Sequence, residues 1–395
     1  MNIATPVNTV DSDALERIAR TDLAPIAREI DEERVYPEPV MRAFGAAGAY
    51  GTHLGGADAP VDLGPAILAM ARGSEECLST GFCMWCQNAL GYYIASSDNA
   101  ALKRDLLPKI ATGEILGGTG MSNPMKSIAG IEKLRLKGTR VEGGYRVTGA
   151  LPWVSNLQED GWFGAMFGVE GEDGPKTVMC VVHADAGNGV KLKLDHDFVA
   201  MGGTATVAVQ IRDAFIPDDW VLGDPAAPFI KRIRGGFVLL QTGMAAGMIR
   251  ASIDLMRQVE SPLGHVNRFL ERQPEDIEAE YDALVSEVLE LARTPYEPSD
   301  AYWNCPPWLL QGMRLLPALP GADGLLRGLV AGPARRRALL ALVARRRLLD
   351  ADLVRLLGGF RDSAEVRADF LGLLPGLRPA VTRHYSPRLS ESQAP

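Results

Sequence analysis

Three short segments in the middle of this 395-residue chain carry side chains able to hold a ligand or do chemistry: GGTGMSNP at 117–124, GALPWVSN at 149–156 and VAMGGTATVAVQIRDAFIP at 199–217. They supply hydroxyls at Thr119, Ser122 and Ser155, an indole at Trp153 and a glycine pair at Gly202 and Gly203. Taken singly, each has an ordinary explanation. A tryptophan on a strand packs in a core, and Ser, Asn and Pro make turns. A second group is the pair Cys83 and Cys86 in FCMWCQNAL, which invites a metal or redox reading. No second Cys/His pair accompanies it and the surrounding run is apolar and helical, so the pair reads as part of a buried helix.

Elements on either side must position these segments. Leu15, Ile18, Leu23, Ile26 and Ile30 follow the three-and-four spacing of an amphipathic helix, with Asp13 and Glu16 as its expected N-terminal cap. Helical patterns recur over about 63–77 and 81–96, giving a helical domain over 1–115. Near Gly117 the period changes to two. Leu134, Leu136, Val141, Tyr145 and Val147 alternate around a turn at Glu142–Gly144, and strand patterns return at 177–182, 190–194 and 206–211. A domain over 116–225 made of such short strands predicts a small β-barrel or sandwich packed between helical units. Helical character resumes at Phe229 and again over 274–292, opening a C-terminal helical domain assigned to 226–395. The fold class is α+β and multidomain.

In their order, the three central segments resemble the middle domain of the acyl-CoA dehydrogenase family: a G-x-[TS]-E-P-like turn, a G-x-K-x-W-[IV]-[ST]-N strand and a final strand pair ending in V-P. LAPIAREIDEERVYPEPV, at 23–40, resembles the family's opening, and GFVLLQTGMAAGMIRASIDLM, at 236–256, the first helix of its C-terminal bundle. The resemblance implies FAD as cofactor. It assigns Thr119, Met121 and Ser122 to the pyrimidine edge of the flavin ring, Trp153 to its face, and Val154 and Ser155 to the neighbourhood of N5. Ser127, Met201 and Gly202 fall where relatives meet substrate, although a tight strand turn explains the last two equally well. Met84, Trp85 and Tyr92 also offer themselves as pocket wall, with helix-core packing as the plainer role. The implied activity is alpha,beta-dehydrogenation of an acyl-CoA or related thioester. Electrons would pass to an electron-transfer flavoprotein, or to oxygen in relatives that are monooxygenases, and the assembly would be a homodimer or homotetramer.

Several residues depart from the family pattern. HLGGADAP replaces its P-E-E-x-G-G turn, Asn123 stands where relatives carry Glu, Leu151 replaces a frequent Lys, and Pro152 removes a backbone donor. Dehydrogenation needs a carboxylate to take the alpha proton as hydride leaves the beta carbon. One family position for that Glu falls on Leu240, next to Gln241. The other should follow a G-G-x-G and R-D pattern, but Gly358 and Gly359 run almost directly into Arg361 and Asp362, and Glu365 is the nearest carboxylate. No catalytic residue is assigned. The pyrophosphate-binding R-x-x-F-G…Q of relatives is replaced by SPLGHVNRFLERQ, in which Arg268 and Arg272 are candidate substitutes or a solvated helix face.

Composition narrows the setting. The net charge of −8 lacks the basic excess that nucleic-acid binding uses, and no segment of 18 or more uncharged apolar residues predicts a membrane span. The first 20 residues show no basic region followed by an apolar one, so the expectation is cytoplasmic, with the five cysteines reduced and no metal bound. The last third changes style. From Ala301 onward there is neither Lys nor Ile, while Leu and Arg dominate, unlike the mixed apolar stripes of a packed bundle. A divergent helical tail, a basic amphipathic surface segment and a shifted reading frame in a GC-rich gene each account for this. Translating the gene in every frame decides among them: a shifted frame requires family-like helices in another frame beyond about codon 304, and their absence eliminates it.

Overall fold

The computed structural model describes residues 10–55, 61–128, 130–171, 174–193, 198 and 200–295. The chain divides into two units, Met1–Glu297 and Pro298–Pro395. The second unit, with Cys305, Gly358, Gly359, Arg361, Asp362 and Glu365, lies outside the described residues.

The N-terminal helical pattern is realised in pieces. Helix α1 (Ser12–Arg17) passes through a wider turn at Ile18–Leu23 and a tighter one at Ala24–Ile26 before α2 (Ala27–Glu32). Pro25 lies in the tight turn, where its ring cannot continue the ladder. The cap of α1 is Asp11 rather than the expected Asp13. Asp11 is extended, and its carboxylate accepts from the Ala14 backbone N–H at 2.9 Å, whereas Asp13 already lies inside the first turn. Then follow α3 (Glu38–Ala46), α4 (Gly64–Glu76), α5 (Leu78–Ser96), α6 (Ala100–Asp105) and α7 (Leu107–Ala111).

Helix α5 is the axis of this domain. It is apolar nearly all round and buried along most of its length, the pattern of a central helix. Cys83 and Cys86 are fully buried there, and burial pushes both thiols upward in pKa. Met84, Trp85 and Tyr92 are buried as well, Met84 against Gly73 and Tyr92 against Gly236, so core packing is the role they have. Among the buried polar residues of α5 is Gln87, whose Nε2 donates to the Ile110 and Ile115 carbonyls at 2.9 Å each while Oε1 accepts from Gly117 N at 2.8 Å. One buried amide thereby closes the helical domain and starts the first strand.

The strands are β1 (Gly117–Thr119), β2 (Lys137–Val141), β3 (Gly144–Val154), β4 (Trp162–Gly171), β5 (Gly174–His183), β6 (Val190–Lys193), β7 (Val207–Pro217) and β8 (Val221–Gly223), with helix α8 (Ser122–Ile128) after β1. They form one mixed sheet in the order β6-β7-β3-β2-β4-β5-β8, with β1 parallel on β4. Among the described residues the path does not close, β6 and β8 being its two ends. Alternate residues such as Tyr145 and Val147, Phe163 and Phe167, Val178 and Val182, and Val209 and Ile211 point into a shared core, each contributing about 1.5–3 kcal/mol by burial.

Helices α9 (Ala226–Leu240), α10 (Thr242–Gln258), α11 (Glu260–Asn267) and α12 (Pro274–Ala292) complete the described part. The stretch Ala226–Gln258 is long and apolar enough by composition to cross a bilayer. Its small residues are nevertheless pressed against α4: a Cβ at Gly243 would lie 2.7 Å from the Ile67 carbonyl, and one at Gly247 would lie 2.3 Å from that of Ala71. The small residues of GMAAG here serve tight helix packing.

His53, fully buried beside α5, gives a pH prediction. Burial lowers its pKa from 6.5 to about 4, the nearby Asn88 backbone opposing only in part. Because the unfolded chain takes up the proton first, this contribution is complete above about pH 6.5 and is lost as pH falls toward 4. The loss is expected to reach roughly 3 kcal/mol. Urea unfolding of His53→Leu should therefore show a flatter stability profile over that window than the parent protein.

Candidate functional site

The three central segments converge where β1 ends. Thr119 and Ser155 form an isolated antiparallel bridge, and Gly120 N donates to Gly164 O at 2.8 Å. The approach is close enough to demand glycine: a Cβ at Gly118 would stand 1.9 Å from the Ser155 carbonyl oxygen. The hydroxyl of Thr119 lies 3.1 Å from that of Tyr93 on α5, and burial raises the Tyr93 pKa, keeping the phenol protonated. Tyr93 was not singled out in the sequence. Its place in an apolar helix gives no local signal of a polar contact 26 residues away.

Trp153 does not pack in the core as a strand tryptophan usually does. The β3–β7 register slips between Leu151 and Val154, so β3 holds one residue more than its partner across Pro152 and Trp153. Proline has no N–H for the ladder, and a bulge re-aims the side chain that follows. Trp153 is accordingly 41% exposed, with its ring 5.7 Å from that of Phe198, while Val154 and Ser155 are buried. Thr206 Oγ1 donates to Ser155 Oγ at 2.8 Å and also lies 2.8 Å from Thr204 Oγ1. With that acceptor role filled, Ser155 keeps its own proton to donate.

Asn156 ends this wall. It is 2% exposed and takes a left-handed φ of 57°. Its Nδ2 donates to Gly117 O at 2.7 Å, its Oδ1 accepts from Tyr36 Oη at 2.6 Å, and its backbone N donates to Thr204 O at 2.9 Å. The sequence motif contained Asn156 without giving it a role, because none of these partners is near it along the chain.

The remaining sequence candidates lie as follows. Met121 is buried and Ser122 is exposed at the start of α8, with Ser127 half-buried further along it. Asn123 is buried and engaged at both ends of its amide: Nδ2 donates to Glu132 Oε1 at 3.0 Å and Lys133 O at 2.9 Å, and Oδ1 accepts from Arg135 N at 2.9 Å. An ionised glutamate could make only the accepting bond. Met201 has a left-handed φ of 61° and donates its N–H to Asp31 at 2.9 Å, while a Cβ at Gly202 would meet Arg34 at 2.5 Å. These two therefore form a tight turn against the helical domain. Arg268 lies over the Phe269 ring and Arg272 pairs with Glu280, both on the exposed surface.

Beside Met121 is a narrow crevice of about 10 Å³, lined by Tyr93, Met121, Met125, Ile230, Ile233, Arg234 and Phe237, with room for about one water. Among the described residues no carboxylate lines it, and Leu240 is fully buried. Among the described residues, too, no cluster of three His, Cys, Asp or Glu is placed to hold a metal.

Residues 12–114 match the model of the acyl-CoA dehydrogenase N-terminal domain. Over 250 residues, 61% of this chain and 64% of the other, it is 24% identical to benzylmalonyl-CoA dehydrogenase of Aromatoleum aromaticum. It therefore spans just under two thirds of that relative's length. Over 303 residues, 71% of this chain and 72% of the other, it is 23% identical to mitochondrial isovaleryl-CoA dehydrogenase of Arabidopsis thaliana. The fold is similar to that of butyryl-CoA dehydrogenase from Megasphaera elsdenii, with a TM-score of 0.56 at 14% identity, covering 92% of each chain.

The closeness of β1 to Ser155 is directly testable. Gly118→Ala is expected to cost about 1–3 kcal/mol by overpacking, read as a lower urea midpoint. An unchanged midpoint would mean that the two segments lie further apart than described.

Proposed function

We propose that this chain, which belongs to the acyl-CoA dehydrogenase family by its N-terminal domain and its fold, is a flavoprotein oxidoreductase acting on an acyl-CoA or related thioester. The observation that supports this reading is the Thr119–Ser155 bridge, which pairs the backbone of the segment leading to Met121 and Ser122 with that of the segment carrying the outward-turned Trp153. Thr119, Met121, Ser122, Trp153, Val154 and Ser155 would hold FAD, and their donor set fits it: hydroxyls for the polar edge of the ring and an aromatic plane for its face. Bound FAD would supply the hydride acceptor for alpha,beta-dehydrogenation.

The chain's own residues orient and enclose. Thr206 fixes the Ser155 hydroxyl, and the protonated Tyr93 holds Thr119. Ile230, Ile233 and Phe237 form an apolar wall beside Met121 that would help to exclude water there. Ser127, Met201 and Gly202 remain the substrate-side residues that the family resemblance suggests. Reducing equivalents would leave to a separate electron-transfer flavoprotein. A homodimeric or homotetrameric cytoplasmic enzyme completes the proposal.

One observation favours a second reaction on the same scaffold. The crevice lining carries no carboxylate among the described residues, and the position of one family base is the buried Leu240. A flavin-dependent monooxygenase, using oxygen, needs no base at that position.

Incubation with excess FAD followed by gel filtration is expected to give yellow protein. Anaerobic acyl-CoA should then bleach the colour and yield enoyl-CoA. If only an added reductant bleaches it, and oxygen is then consumed to give a hydroxylated product, the monooxygenase reading replaces the dehydrogenase. Protein that stays colourless rules out both and leaves a non-catalytic homologue.

A further inference from the structure

We infer that Asn156 is the positioning residue of the Trp153–Ser155 wall, and that the Tyr36 hydroxyl makes this wall respond to the helical domain. The inference rests on the flavin reading for its functional meaning, but the geometry stands without it. Asn156 binds three separate segments at once: Gly117 on β1, Thr204 in the turn before β7, and Tyr36 in the loop between α2 and α3. Its side chain is used at both ends, as donor at Nδ2 and acceptor at Oδ1, which among side chains of this size only an amide supplies.

The position also needs a left-handed backbone, which Asn tolerates better than most residues. A shift of Asn156 passes to its neighbour Ser155, because the Ser155 carbonyl is wedged against Gly118 with no space for a Cβ. From there it reaches Trp153 through Val154, which is fully buried and cannot absorb the movement by turning outward. On the other side, Tyr36 is itself held in a buried environment that raises its pKa, so its phenol remains a proton donor to Oδ1. The same helical segment meets the 201–204 turn, through Asp31 on Met201 N and through Ile30 and Val35 against Gly203. The indole wall and the turn behind it are thus tied to one stretch, residues 30–36, of the helical domain.

Three variants separate the roles. Tyr36→Phe removes one donated proton and leaves the fold's other contacts intact. Asn156→Asp keeps the shape and the left-handed tolerance but loses the donor to Gly117 O. Asn156→Gly keeps the backbone conformation and removes the amide. The readout independent of cofactor is fluorine NMR of 5-fluorotryptophan-labelled protein, with the Trp153 resonance identified by Trp153→Phe. All three variants are expected to shift or broaden that resonance while that of Trp85, packed on Phe82 and Phe237, stays in place; Trp162 pairs with Gly117 and is not used as a control.

With FAD added, Tyr36→Phe is expected to weaken binding about fivefold and Asn156→Asp at least about tenfold, with an altered visible flavin circular dichroism. A Trp153 resonance unchanged in Tyr36→Phe and Asn156→Gly overturns the inference, as does a uniform shift of every tryptophan, which marks a merely structural role. Should Asn156→Asp fail to fold, Tyr36→Phe decides. If the parent protein takes up no FAD while Trp153 alone responds, the flavin reading fails and the positioning role stands.

Discussion

The contact on which the rest depends is the junction of β1 with the end of β3. Two segments about 36 residues apart meet backbone to backbone at Thr119 and Ser155, at a separation that excludes any side chain at Gly118. Gln87 fixes the start of β1 to the central helix, and Asn156 fixes the end of β3 to the same strand and to Tyr36. Two buried amides, each satisfied at both ends, therefore decide where the hydroxyls and the indole stand relative to the helical domain. Buried amides are costly when only half paired, so these pairings specify one arrangement rather than merely favouring it.

The departures from the family's motifs acquire physical meaning in this frame. Pro152 is not simply a lost donor; it sits in the bulge that turns Trp153 outward. Asn123 is not a neutralised glutamate so much as a bracket, its amide tying α8 to the segment at 132–135 in a way no carboxylate can. Met201 and Gly202 seat a turn against Asp31 and Arg34. Asn123, Pro152, Met201 and Gly202 each take a structural part in this chain.

Among the described residues, the crevice beside Met121 is lined by apolar side chains together with Tyr93 and Arg234. Leu240 and the lining of the crevice beside Met121 contain no carboxylate to take a proton from carbon.

The sequence by itself determined whatever depends on neighbours along the chain. The alternation of Tyr145 and Val147 marked β3, the Glu142–Gly143 turn joined it to β2, and the apolar run at 81–96 marked a central helix, because burial of a strand face or helix stripe is written in its own period. Even locally, the first cap fell on Asp11 and not on Asp13, because Asp11 is extended and its carboxylate caps the turn in which Asp13 already lies. Tertiary structure alone decided which polar groups meet. Tyr36 and Asn156 lie 120 residues apart, and Tyr93 and Thr119 lie 26 apart, so no spacing rule connects them. The outward turn of Trp153 likewise depends on how β3 registers against β7, a property of two strands together that neither carries alone.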